Sequence, residues 1–180
     1  GKYDPNLVKE NLEKNLGAIV TKNEDGSLGI EYQGYDFKID LEGKVSEANY
    51  FKLSMISETG SHGNHTLGID EEGNLWAWGR NWKGELGNGT TTDSSTPSKI
   101  IEGTKFKEIS AGSSHSLAID EQGNLWVWGY NQNGQLGNGS TSYNGNPTPM
   151  KILEGVKFKE ISAGDVHSLG IDEQGNLWAW

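Results

Sequence analysis

The sequence predicts an all-β fold: a partial, open β-propeller of four-stranded antiparallel blades, preceded by a small α+β domain made of one helix and a meander. Three observations predict it. Phe106-Lys107-Glu108-Ile109-Ser110-Ala111-Gly112 returns as Phe158-Lys159-Glu160-Ile161-Ser162-Ala163-Gly164. Leu75-Trp76-Ala77-Trp78 returns as Leu125-Trp126-Val127-Trp128 and as Leu177-Trp178-Ala179-Trp180. His65, His115 and His167 stand 50 and then 52 residues apart, a period that belongs to solenoids, propellers and arrays.

Residues 1–49 lie outside the repeats and read as the α+β domain. Asp4-Pro5 supplies an N-cap with proline at the first helical position, Leu7, Val8, Leu12 and Leu16 recur on one face, and Gly17 stops a helix over about residues 5–16. Three to four strands follow. Ala18–Thr21 turns at Asn23–Gly26 into Leu28–Tyr32, and a two-residue turn at Gln33-Gly34 leads into Tyr35–Ile39.

Residues 50–180 supply about two and a half blades. In the complete unit, Phe106–Ala111 alternates as a half-buried strand and Ala111-Gly112 closes it. His115–Ile119 is the second strand, Asp120-Glu121-Gln122-Gly123-Asn124 the turn, and Leu125–Trp128 the third strand. A shorter fourth strand is expected at Lys151-Ile152-Leu153 after Pro149, and at Lys99-Ile100-Ile101 after Pro97, which gives the strand count of a propeller blade. The first unit is irregular, with about three extra residues between Glu58 and Asn64.

The string Trp128-Gly129-Tyr130-Asn131-Gln132-Asn133-Gly134-Gln135-Leu136-Gly137 resembles the regulator of chromosome condensation repeat family, and Trp78-Gly79-Arg80-Asn81-Trp82-Lys83-Gly84-Glu85-Leu86-Gly87 matches it with Glu85 in place of Gln. The resemblance spans roughly residues 51–180 and implies a propeller, commonly of seven blades. Against that pattern the chain looks cut: it begins at Gly1, and Trp180 ends it where both earlier units continue into Gly. The last hairpin is therefore expected to be an unprotected edge. Gly34–Val45 also resembles the C-terminal end of pilin-like surface proteins of Gram-positive bacteria, which implies that a hydrophobic membrane or assembly helix precedes this segment in the full chain.

Composition narrows the chemistry. Twenty-six Gly, seven Trp and 33% hydrophobic residues suit short strands and tight turns. Without cysteine there is neither disulfide nor thiolate zinc site. A net charge of −10 offers no field for nucleic acid, and no membrane contact is expected of this segment. His65, His115 and His167 recur at one repeat position and read as structural, as do Trp76, Trp126 and Trp178 with Trp78, Trp128 and Trp180, each pair facing one side of a strand and filling the space between blades. His62 breaks the repeat alone. The turns at Asp70, Asp120 and Asp172 lack the ligand spacing of a calcium loop, and Gly134–Gly139 lacks the Lys-Ser/Thr of a phosphate loop. No catalytic, metal or cofactor residue is assigned, and no enzyme activity is expected.

What varies between units is the remaining signal. Trp82 stands where the next unit has Gln132, beside Arg80 and Lys83; Tyr130 replaces Arg80, and Tyr143 lies in a loop two residues longer than its counterpart. Variable loop aromatics and cations on a constant frame mark a contact surface, so Arg80, Trp82, Lys83, Tyr130 and Tyr143, with the loops Thr90–Ser95 and Ser140–Asn146, are the expected protein contacts. The reading is a non-enzymatic recognition module of a bacterial surface or secreted protein. One alternative is a guanine nucleotide exchange factor acting in the cytoplasm, the activity for which the resembled family is known; another is a structural pilus or wall component.

Overall fold

The computed structural model of the chain describes residues 3–32, 35–49, 52–58 and 63–180. The turn expected at Gln33-Gly34, His62 and most of the extra residues of the first unit lie outside them. Contacts divide the chain into two compact units, Gly1–Lys52 and Leu53–Trp180.

In the first unit, helix α1 (Pro5–Leu16) starts where the Asp4 carboxylate accepts the Asn6 and Leu7 amides at 2.9 and 3.3 Å and ends where Gly17 takes φ 65°. Strands β1 (Ile19–Lys22), β2 (Leu28–Tyr32), β3 (Tyr35–Ile39) and β4 (Val45–Asn49) form an antiparallel meander in chain order. The helix covers it with less of its surface than expected. Val8 and Leu12, one turn apart, pack on Ala18, Val20, Leu28 and Ile30, whereas Leu7 and Leu16 are exposed, because a four-stranded sheet of such short strands has only a narrow apolar face to cover.

The second unit is three meanders in series. The first blade is β5 (Leu53–Glu58), β6 (His65–Asp70), β7 (Leu75–Gly79) and β8 (Ser94–Ile100). The second is β9 (Phe106–Ala111), β10 (His115–Asp120), β11 (Leu125–Asn131) and β12 (Ser142–Ile152); the third is β13 (Phe158–Ala163), β14 (Ser168–Asp172) and β15 (Leu177–Ala179). The fold is an open propeller of antiparallel blades. Side-chain alternation builds its cores: Ala118, Trp126 and Trp128 of the second blade join Leu67, Ile69, Leu75 and Ala77 of the first. Leu117, Ile119, Leu125 and Val127, on the opposite face, join Phe158, Ile161, Trp178 and Trp180 of the third.

The fourth strands correct the sequence expectation. They are longer, not shorter: β8 has seven residues and β12 eleven. Pro97 and Pro149 read as strand limits, yet they and Pro147 sit inside edge strands, where a missing N–H costs no ladder bond. Two register shifts carry β12 along β11 from Leu125↔Ile152 to Asn131↔Ser142. Of the stretch Ser140–Asn146 expected as a loop, all from Ser142 on, Tyr143 included, is therefore in β12, and Tyr130 is in β11.

Candidate protein-contact surface

The site is built on joints that repeat between blades. Ser116 Oγ donates to the Glu85 carbonyl at 2.8 Å, and Trp128 Nε1 donates to the same oxygen at 2.6 Å. The serine's one proton is thereby placed, so His65 Nε2 donates to Ser116 Oγ, 2.8 Å away. The next joint copies it. Ser168 Oγ and Trp180 Nε1 donate to the Gln135 carbonyl at 2.7 and 2.9 Å, and His115 Nε2 lies 2.9 Å from Ser168 Oγ. This is the reverse of a catalytic pair: the imidazole gives its proton to the hydroxyl and cannot accept from it.

Burial, with the neighbouring His115 second, pulls His65 down to about 3; burial, with His167 second, pulls His115 down to about 4. His167 departs from its expected equivalence. Its ring rests on Gly164 as that of His115 rests on Gly112, but, unlike the buried His115, it is exposed.

Each hairpin turn is closed by its aspartate. Asp120 Oδ1 accepts the Gln122 and Asn124 amides at 3.0 and 2.9 Å, and Oδ2 accepts Asn124 Nδ2 and Trp126 Nε1, both at 2.9 Å. Burial pushes this carboxyl up, but the Trp126 and Asn124 hydrogen bonds outweigh it and hold it below the usual carboxylate value. Trp76 and Trp178 reach Asp70 and Asp172 in the same way, at 2.9 and 3.0 Å. Within each pair the outer tryptophan thus fastens its own turn, and Trp128 and Trp180 fasten the preceding blade; Trp78 is half-buried. Among the described residues, no cluster of three or more His, Asp or Glu side chains could hold a metal.

Beyond β7 the chain turns under Asn81, whose Oδ1 accepts the Leu86 amide at 2.9 Å while its Nδ2 donates to the Thr90 and Thr92 carbonyls at 2.9 and 3.0 Å. Gly79 allows the turn: at φ 106° it lies against the Asn64 carbonyl, where a β-carbon would collide. Above this buried amide stand the expected contact residues. The Arg80 guanidinium lies 4.6 Å over the Trp82 ring, and Trp82 is 65% exposed. Lys83 Nζ lies 3.9 Å over the Tyr143 ring and 5.0 Å over that of Tyr130, and donates to the Tyr143 carbonyl at 2.9 Å. Tyr130 and Tyr143 meet edge to face at 6.1 Å, and Tyr143 is 66% exposed. Two blades therefore contribute to one surface, tied also by the Gly89 amide donating to the Pro147 carbonyl at 3.0 Å.

Glu85 was missed as part of this surface. Its side chain is fully buried; Oε2 accepts the Lys83 amide at 2.7 Å, and Oε1 faces Arg80 Nε at 3.9 Å. Burial pushes its carboxyl up, with Arg80 opposing. The signal was in the repeat, where Arg80 and Glu85 change together to Tyr130 and Gln135.

The Regulator of chromosome condensation (RCC1) repeat pattern matches residues 72–119 and 122–171. The chain belongs to the RCC1 repeat family. A second form of the pattern matches residues 106–135. Over 172 residues the chain is 34% identical to RCC1 domain-containing protein RUG3, mitochondrial, of Arabidopsis thaliana, covering 91% of this chain and 38% of that one. Over 132 residues it is 34% identical to the Ultraviolet-B receptor UVR8 of the same plant, covering 72% and 29%. It thus spans well under half of these relatives. Among solved structures, yeast RCC1 bound to Kap60 superposes with a TM-score of 0.63 at 19% identity, over 90% of this chain and 43% of that one. Human WBSCR16 does so with 0.63 at 16% identity, over 86% and 44%. At these identities the likeness concerns the fold.

Proposed function

We propose that this RCC1-type chain is a non-enzymatic protein-recognition module whose contact face is Arg80, Trp82, Lys83, Tyr130 and Tyr143. The observation that carries the reading is the exposure of Trp82 and Tyr143 beside cations, on a frame whose repeat tryptophans Trp76, Trp126 and Trp178 are fastened to their turns and Trp128 and Trp180 to the joints. Large aromatics and arginine supply most hot spots at protein interfaces. Protein binding is also what the yeast relative displays in its complex with Kap60.

The test is capture of partners from extracts of the source cells by the wild-type chain and by Trp82→Ala/Tyr143→Ala. A partner retained by the first and lost by the second, with melting unchanged, supports the reading; identical retention refutes it. Nucleotide release from the small GTPases of the same cells, unchanged by the chain, would separate this reading from an exchange factor. We also propose that the module works at a bacterial surface or in secreted form, a reading supported by the pilin-like string at Gly34–Val45. Protease treatment of intact cells, followed by detection of the chain, tests it: surface placement requires cleavage without lysis.

A further inference from the structure

The contact face differs in charge from the chain that carries it. The chain has net charge −10, and seven of its 25 acidic residues stand at the hairpin turns Asp70-Glu71-Glu72, Asp120-Glu121 and Asp172-Glu173. Arg80 and Lys83 stand at the other end of the third strand, three residues apart, and residues 130–149 contain no charged side chain. Glu85, whose carboxylate faces Arg80 Nε at 3.9 Å and accepts the Lys83 backbone amide at 2.7 Å, has no exposed surface. Asp93 is an exposed carboxylate nearby, its Oδ1 accepting the Asn81 amide at 2.7 Å. Among these residues, the outward face thus carries two cations on aromatic rings, with Asp93 held at its edge through the Asn81 amide.

The cations are additions to the frame. The second unit builds the same turn under Asn131, with the Leu136 amide donating to its Oδ1 at 3.0 Å, and carries Tyr130 and Asn133 at the two positions. Both cations are also held on aromatic faces, Arg80 over Trp82 and Lys83 between Tyr143 and Tyr130. That placement lowers the rotamer entropy lost when an anion arrives.

We propose that this face takes an acidic, extended protein segment, its carboxylates meeting Arg80 and Lys83 and an apolar or aromatic side chain lying on Trp82. The proposal rests on the reading of these residues as a contact face and adds the chemistry of the partner. Complementary charge steers the encounter and selects against basic partners, while the exposed indole supplies apolar area.

The probe is a synthetic oligoglutamate peptide carrying one central tyrosine, titrated into the whole chain and followed by NMR, with the oligolysine counterpart alongside. The oligoglutamate peptide is expected to shift the Trp82 indole and the amides of residues 80–85, and its affinity to fall several-fold from about 50 to about 300 mM salt as screening shortens from roughly 14 to 6 Å. Lys83→Gln, and Arg80→Gln made together with Glu85→Gln so that no buried carboxylate is left alone, should each weaken binding by about tenfold with melting retained. Shifts at these signals by oligolysine, salt-insensitive binding of oligoglutamate, or folded variants that bind it unchanged would each overturn the proposal. Silence of both peptides would overturn it too, while partner capture would still decide whether the face is a contact surface.

Discussion

Ser116→Ala tests the joint between the first two blades. The hydroxyl accepts from His65 Nε2 and donates to the Glu85 carbonyl, and all three groups are buried. On the carbonyl side the loss is small, about 1 kcal/mol, because Trp128 Nε1 still donates there. On the histidine side a buried N–H is left without an acceptor, which costs about 1–3 kcal/mol. The expected destabilisation is therefore about 2–4 kcal/mol, read as a shift in the urea midpoint followed by tryptophan fluorescence. His65→Phe removes the other half, and a double-mutant cycle isolates the pair: coupling of at least about 1 kcal/mol is expected. A cost for Ser116→Ala below about 0.5 kcal/mol, or additive single and double variants, would refute the joint.

Acid should weaken the chain before its carboxylates titrate. With His65 at about 3 and His115 at about 4 when folded, both below the ordinary 6.5, the unfolded chain binds more protons across that gap. Their stabilisation is thus full above pH 6.5 and lost as pH falls toward the folded values, at up to about 1.4 kcal/mol per pH unit for each; urea titrations from neutral pH to about pH 4.5 should show the slope, and His115→Phe should flatten it. Trp82→Ala should change stability by less than about 0.5 kcal/mol in thermal melts, since the indole is mostly exposed. Gly112→Ala drives a methyl into the His115 ring and the Gly164 carbonyl and should cost about 1–3 kcal/mol, measured by chemical denaturation.

The repeat made the blades legible because period-2 runs such as Phe106–Ala111 end at turn residues that recur. The helix bounds were legible for a similar reason, Asp4-Pro5 and Gly17 being local signals. The joints were not. His65 and Ser116 are 51 residues apart and His115 and Ser168 53, and nothing local tells which hydroxyl an imidazole meets across an interface. The extent of β12 was hidden because its pairing passes two register shifts and two prolines, so Tyr143 read as a loop residue. At the contact face the two cations, Trp82 and both tyrosines stood out by varying between units, whereas Glu85 read as a near-synonym of Gln135. Its importance comes from complete burial, which a single sequence does not display.

The hydrogen-bonded joint has a polarity with a bearing on how such chains grow. Each unit gives its carbonyl and imidazole forward and its serine and tryptophan backward, so duplicating a whole unit creates both halves of a new joint at once and leaves the old ones intact. Gain or loss of half a unit strands a buried donor or acceptor on either side. A chain of this architecture can therefore change in length by whole units without compensating substitutions in its joints, and residues outside the joint, such as Trp82 and Lys83, are free to diverge from one copy to the next.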